Sequence, residues 1–128
     1  MQSGSEDRLA LIRRYYQAYD DSDRSLMEST LHARFTFSSP NDDDNIGQAL
    51  YFARCWPNHE AIRHFDLLDA CADGDHALVR YHASTVEGAG FSNVEHFKFR
   101  DDLILHVDCF FGPPVSEQTT SNWGAKPA

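Results

Sequence analysis

The 128-residue sequence is 41% hydrophobic and 24% charged, which is typical of a single globular domain. Its net charge of −9 argues against a nucleic-acid partner, because phosphate binding requires clustered lysines and arginines and the eleven present are scattered. No apolar run approaches the ~20 residues of a membrane span, and residues 1–14 lack the apolar stretch of a signal peptide. We therefore expect a cytoplasmic protein with neither a nucleic-acid nor a membrane partner.

Neither the cysteines nor the histidines follow a metal-binding pattern. Cys55, Cys71 and Cys109 are widely spaced and include no CxxC pair, so reduced thiols are expected rather than disulfides. The seven histidines include no HxH or HExxH arrangement. The sequence therefore predicts neither a metal site nor a bound cofactor.

Helical spacing dominates the start of the chain. A first helix is predicted from Glu6 to Asp20, because apolar side chains recur on one face. Its stripe consists of Leu9, Ile12, Tyr16 and Tyr19, with Leu11 and Tyr15 beside it. The polar run Asp20–Asp23 ends this pattern and supplies an N-cap for a short second helix, which contains Leu26, Met27 and Leu31.

A short strand and a third helix follow. Phe35–Ser38 alternates as a strand does, and Pro40 ends it because proline cannot donate to a β-ladder. Several polar residues in 41–45 are suitable N-caps, so a third helix is predicted to begin near Ile46 and to end before Pro57.

The second half of the chain is rich in β-forming residues. Four strands are predicted at His64–Asp73, Ala77–Glu87, Phe91–Arg100 and Ile104–Phe111. Short turns join them, so they form an antiparallel meander, and helices followed by strands indicate an α+β fold. Half of residues 113–128 are Pro, Ser, Thr or Gln, and this segment is predicted to form a flexible C-terminal tail, in which Trp123 is the one large apolar residue.

Six stretches between Arg8 and Gly112 carry a family resemblance. They are Arg14–Tyr19, Phe35–Pro40, Tyr51–Pro57, Val79–His82, Glu95–Asp101 and Ile104–Gly112. In this order and spacing they resemble the nuclear transport factor 2-like superfamily, which includes SnoaL-like polyketide cyclases and steroid isomerases. The resemblance implies a SnoaL-like domain over residues 6–112, a cone-shaped half-barrel in which N-terminal helices pack on a curved antiparallel sheet and enclose a pocket. It also implies a homodimer formed through the outer face of the sheet.

Strand alternation selects Glu95 as the main candidate for chemistry. On the strand that begins at Phe91, the odd-numbered positions contain the phenylalanines and are expected to face the interior together with Asn93 and Glu95. A carboxyl among aromatic rings loses its hydration, which raises its pKa towards the range of a general acid or base.

The preceding strand offers two sets of residues, and alternation alone does not choose between them. The resemblance implies that the set containing Arg80 and His82 lines the pocket. These two residues then converge with Glu95, since neighbouring strands lie ~4.8 Å apart. His82 and Glu95 are expected to transfer protons, Arg80 to hold an anionic group, and Tyr15 to donate to an oxyanion. A static ion-pair network is the alternative reading of the same residues.

Asp108 has two possible orientations. It occupies the region where SnoaL-like cyclases keep a catalytic carboxylate, which makes it a third catalytic candidate. Val107, Cys109 and Phe111 form the more apolar set, however, and their burial leaves Asp108 outside together with His106. The resemblance also places Ser39 where a steroid isomerase has its catalytic base, which argues against that activity because serine is not a carboxylate base.

The remaining candidates are pocket-lining residues. An aromatic lining suits a flat ligand, and it is predicted to include Phe37, Tyr51, Phe52, Trp56, Phe91, Phe97 and Phe99. For Phe52 and Trp56, which lie four residues apart on one helix face, core packing is the better interpretation.

Two classes of function remain open at this point. The first is a small-molecule enzyme, a cofactor-independent isomerase, cyclase or dehydratase that acts on a small hydrophobic or aromatic substrate. The second is a non-catalytic protein, either a ligand-binding domain or a dimeric adaptor.

Overall fold

A computed structural model describes residues 4–113, except for the side chains of residues 42–44. Its helices are α1 (Gly4–Asp21), α2 (Arg24–Thr30), α3 (Gln48–Arg54) and a short 3-10 helix (Trp56–Glu60). Its strands are β1 (Leu31–Ser39), β2 (Asp42–Gly47), β3 (Ile62–Asp73), β4 (His76–Thr85), β5 (Gly90–Arg100) and β6 (Leu103–Phe111). All of the predicted tail except residue 113 lies outside the described residues, and so does Trp123.

The six strands form one sheet in the order β2-β1-β6-β5-β4-β3. Strands β3 to β6 are the predicted antiparallel meander. Strand β1 instead runs parallel to β6, with Thr36 opposite His106 and Phe37 opposite Val107. The sheet is therefore mixed rather than purely antiparallel, which the long connection through α3 and four strands permits. The helices pack on one face of this curved sheet, so the α+β class is confirmed.

Strand β2 corrects the prediction that residues 41–45 only cap a helix and that the helix begins near Ile46. This segment forms a hairpin with β1, in which Ile46 lies opposite Phe37 and is buried. Leu31, predicted to be helical, instead begins β1, where it is also buried. In both places the gain from burying an aliphatic side chain outweighs a weak local helix preference.

The hydrophobic core lies between the helices and the inner face of the sheet. Helix α1 buries its tyrosines against β3 and the centre of the sheet, and Asp23 caps α2 by accepting a 3.0 Å hydrogen bond from the backbone N–H of Leu26. The predicted N-cap within residues 20–23 is thus confirmed at Asp23.

Asp20 joins the end of α1 to the edge strand β3. Its carboxylate accepts the backbone N–H of Phe65 at 3.0 Å and lies 2.8 Å from Nδ1 of His64. Because Asp20→Ala leaves a part-buried N–H without its charged partner, we expect it to lower the free energy of unfolding in urea by about 1–3 kcal/mol. The matched control is Asp21→Ala. Among the described residues, the one hydrogen-bond partner of the Asp21 side chain is the exposed Gln17. Equal stabilities of the two variants would contradict this role.

Candidate active site

A cavity of about 510 Å³ opens between α1, the 3-10 helix and the inner face of the sheet. Eight aromatic side chains line it, namely Tyr15, Tyr16, Tyr19, Phe37, Phe65, Tyr81, Phe91 and Phe111. Polar side chains add to the lining at Ser39, Asn41, Arg54, Asn58, Asn93 and Glu95. This combination of aromatic walls and a few polar groups is typical of a site for a small organic molecule.

Glu95 is the buried carboxyl of this cavity, and its side chain is inside because it shares the inward phase of β5 with Asn93 and Phe97. The hydroxyl of Tyr16 donates to its Oε1 at 2.6 Å. Burial raises the pKa of Glu95 to about 7, although hydrogen bonds from Tyr16 and from the Cys109 thiol act in the opposite direction. Loss of hydration therefore outweighs the two donors, and the carboxyl is able to exchange a proton near neutral pH.

A second group of polar side chains lies next to the carboxyl. The amide nitrogen of Asn93 donates to the Tyr81 hydroxyl at 3.0 Å and to the Cys109 sulfur at 3.6 Å. The amide oxygen of Asn93 accepts the backbone N–H of Gly112 at 3.2 Å. Asn93 thus connects the end of β6 to the residues around Glu95.

Three tyrosine hydroxyls meet at the helical side of the cavity. The Tyr51 hydroxyl lies 3.0 Å from that of Tyr15 and 2.5 Å from that of Tyr19. Tyr15 and Tyr19 line the cavity, whereas Tyr51 is fully buried behind them. Burial is the largest cause that raises the pKa of each of these hydroxyls, so all three stay protonated and can donate.

The structure brings together only part of the predicted site. Tyr15, Phe37, Asn93 and Glu95 line the cavity. The predicted lining residues Tyr51 and Phe97 instead belong to the buried core, and so does Trp56, which was also predicted to line the pocket but for which core packing is the better interpretation. Their aromatic contacts explain this: Tyr51 packs on Phe35 and Phe37, Trp56 packs on Tyr19, and Phe97 packs on Tyr15.

The expectation that Arg80 and His82 face the pocket is wrong. The opposite set of β4 is buried, with Val79, Tyr81 and Ala83 on the inner face. Arg80 is exposed and pairs with Asp69 at 2.8 Å, while His82 contacts Ser92 at 3.2 Å on the outer face. Burial of two aliphatic side chains and a tyrosine is favourable, whereas burial of a guanidinium carries a large desolvation cost.

Asp108 also lies on the outer face, so its orientation towards the pocket is ruled out by the structure. Val107 and Cys109 take the inward positions of β6 because they are the less polar set. The Asp108 carboxylate lies 2.8 Å from Nε2 of His106. Both residues line a separate groove of about 490 Å³, together with Arg34, Thr36, Ser38, Asn45, Lys98 and Leu105.

Sequence reasoning misses Tyr16, which donates to Glu95, and Tyr81 and Cys109, which contact the neighbouring Asn93. Tyr16 belongs to the apolar stripe of the first helix, where its ring predicts packing and its hydroxyl is easily overlooked as a donor. Tyr81 and Cys109 belong to the strand sets that were not chosen as candidates. The apolar character of those two sets was the available signal, because it predicts the inward face of each strand.

Within residues 4–113, neither a metal-binding cluster nor a membrane-spanning helix is found. This part of the chain contains no group of three or more His, Cys, Asp or Glu side chains arranged to hold a metal ion. It also contains no helix that is both long and apolar enough to cross a membrane.

Comparison with known proteins places the chain in a family. Structures of similar fold include a provisionally named ketosteroid isomerase from Kribbella flavida, at 18% identity and TM-score 0.71 over 97% of this chain and 93% of that one. An LEH-like epoxide hydrolase from M. tuberculosis is 13% identical, with TM-score 0.71 over 88% and 83%. A protein of unknown function with a cystatin-like fold from Methylobium petroleophilum is 16% identical, with TM-score 0.73 over 88% and 80%.

At these identities the solved structures show the fold alone. No curated protein matches the sequence. The family model described as SnoaL-like domain, however, matches residues 12–107, which run from within α1 to within β6 and include β1 to β5 and Glu95. The chain therefore belongs to the SnoaL-like domain family.

Proposed function

We propose that this protein is a cofactor-independent acid–base enzyme, an isomerase, cyclase or dehydratase, in which Glu95 transfers the proton. The observation that carries the proposal is a buried carboxyl on the wall of an aromatic cavity, with a pKa raised to about 7. At neutral pH about half of such groups are ionised, so the same residue accepts and returns a proton efficiently. The similar folds named as an isomerase and an epoxide hydrolase support a small-molecule role for the cavity.

Glu95 acts without the partners predicted for it. His82 and Asp108 lie on the outer face, so a single carboxyl has to remove a proton and deliver it again. A carboxylate removes a proton from a carbon next to a carbonyl group, and the resulting carboxylic acid returns it to another carbon or to a departing hydroxyl. Return to carbon is an isomerisation, and return to the hydroxyl is a dehydration.

The tyrosine hydroxyls supply the complementary charge stabilisation. When Tyr19 donates to Tyr51 and Tyr51 donates to Tyr15, the proton of Tyr15 is left to face the cavity. Donation along such a chain polarises the last hydroxyl and makes it a better donor. Tyr15 then stabilises the enolate oxygen that develops as Glu95 removes the proton.

The aromatic walls favour a hydrophobic or aromatic substrate. Rings such as those of Tyr16, Phe65 and Phe91 surround the space next to Glu95. A small uncharged molecule with an aromatic or alicyclic body and one carbonyl group fits both this lining and the proton transfer. An anionic group placed beside Glu95 would instead disfavour ionisation of the carboxyl.

Deuterium exchange into a panel of model ketones tests the proposal, because it reports proton transfer whichever compound is the natural substrate. Small aromatic and alicyclic ketones and β-hydroxy ketones are incubated with the protein in deuterated buffer, and incorporation next to the carbonyl is followed by NMR. We expect exchange above the buffer rate for at least one compound, confined to one face of the molecule. Binding of these compounds in the cavity without exchange would contradict the enzyme and support the alternative, a protein that binds a ligand without transforming it.

A further inference from the structure

The register of two strands places a thiol beside the carboxyl. Glu95 on β5 is directly opposite Cys109 on β6, and both side chains face the inside with 5% and 7% of their surface exposed. Side chains paired in this way lie close enough to interact directly. Both side chains line the cavity, and the Tyr16 hydroxyl donates to Oε1 of Glu95 at 2.6 Å.

The sulfur of Cys109 is itself held in place. The Asn93 amide donates to it at 3.6 Å and also donates to the Tyr81 hydroxyl at 3.0 Å, so this amide holds the hydroxyl beside the sulfur. Asn93 in turn is anchored by the backbone N–H of Gly112. Because Asn93 donates to the sulfur, the thiol proton is left for an acceptor such as the carboxylate of Glu95 on the opposite strand.

The identity of this donor matters because a thiol is a weak hydrogen-bond donor. A hydroxyl in the same place would hold the carboxylate more strongly and favour the ionised form, as hydrogen bonds to a charged group do. With an apolar side chain in this place, Tyr16 would be the remaining described donor to the buried carboxylate. The loss of a donor disfavours ionisation of Glu95. The thiol lies between these two extremes.

We propose that Cys109 is a positioning residue for Glu95, whose S–H, oriented by Tyr81 and Asn93, holds the carboxylate without locking it in the ionised form. Its catalytic consequence rests on the proposed function, whereas its effect on Glu95 does not. Cys109 itself stays protonated, because burial raises the pKa of its thiol well above the usual range. It therefore acts through Glu95 and not as a nucleophile.

The direct test is a pH titration of the Glu95 carboxyl by carbon-13 NMR, on the full chain and without substrate. We expect Cys109→Ser to lower the measured pKa of Glu95 and Cys109→Ala to raise it, each by about half a pH unit or more. A role in packing alone would alter thermal stability without moving the pKa in opposite directions. A pKa within about 0.2 of the wild-type value in both variants would overturn the proposal.

Tyr81→Phe provides a milder variant in case the changes at Cys109 prevent folding. It removes the hydroxyl that the Asn93 amide holds beside the sulfur and keeps the ring, so the pKa of Glu95 is expected to rise by less than in Cys109→Ala. Cys71→Ser is the matched control, since Cys71 is exposed on β3 and should leave the titration unchanged.

The two proposals fail in different ways. A shifted titration in the Cys109 variants, combined with no exchange of any ketone, supports the positioning role and contradicts the enzyme. If ketone exchange occurs but the pKa of Glu95 is unchanged in the Cys109 variants, the enzyme is supported and the positioning role is overturned. Where exchange occurs, the acidic limb of its pH–rate profile should move with the titration in each variant.

Discussion

Glu95→Gln is expected to reduce the rate of ketone deuterium exchange by about 10²–10⁴-fold, the range typical of losing a general acid–base group. The amide keeps the size of the side chain and an oxygen that accepts from Tyr16, so the cavity and its aromatic walls should be retained. It cannot take up and return a proton at neutral pH, however. The measurement is the exchange rate at saturating ketone, which separates catalysis from binding.

Asp108→Asn is the matched control for this experiment. It makes the same carboxyl-to-amide change on the outer face, where Asp108 contacts His106 rather than the cavity. We expect its exchange rate to remain within about twofold of the wild type. Equal losses in the two variants, or full activity of Glu95→Gln, would show that Glu95 is not the proton carrier.

The second large effect concerns stability as a function of pH. The pKa of Glu95 is raised from its ordinary 4.5 to about 7 in the folded chain, mainly by burial. Between these values the folded state therefore binds more protons than the unfolded state, so stability decreases as the pH rises. The stability that protonated Glu95 contributes is fully present below pH 4.5 and is lost as the pH passes about 7.

The raised pKa of Glu95 contributes about 3 kcal/mol to the free energy of unfolding. This follows from about 1.4 kcal/mol for each pH unit between its ordinary and its raised pKa. Glu95→Gln removes it, because the amide does not titrate. Relative to the wild type, we expect the variant to gain up to about 3 kcal/mol in free energy of unfolding between pH 4.5 and pH 8, measured in urea. All other ionisable groups are the same in both proteins, so their contributions cancel in the difference. A difference that does not change with pH would contradict the raised pKa.

Most of the secondary structure follows from local patterns. The four meander strands begin and end within two residues of their predicted positions, because β-formers alternate between clear turn signals. Strand β2 was missed because its polar residues resemble a capping sequence, and only the hairpin partner β1 reveals that it is extended. The parallel pairing of β1 with β6 joins residues about seventy positions apart, which no local pattern contains.

The site is predictable where one strand face is clearly more apolar than the other. On β5 the phenylalanines identify the inner face, and Glu95 lies there as expected. On β4 alternation alone does not choose between the two sets and the family resemblance favours Arg80 and His82, whereas the fold buries the set of Tyr81. The contact between Tyr16 and Glu95 joins a helix and a strand, so it depends on how α1 rests on the sheet.

All five tyrosines of the sequence surround this one cavity or its wall, and each is buried. Burial is also the main reason that the pKa of every tyrosine is raised. The near-ultraviolet absorbance of ionised phenol should therefore stay absent in alkaline buffer for as long as the cavity remains closed to hydroxide. Its appearance then marks the opening of this part of the fold, so the protein contains a built-in optical reporter of its own candidate active site.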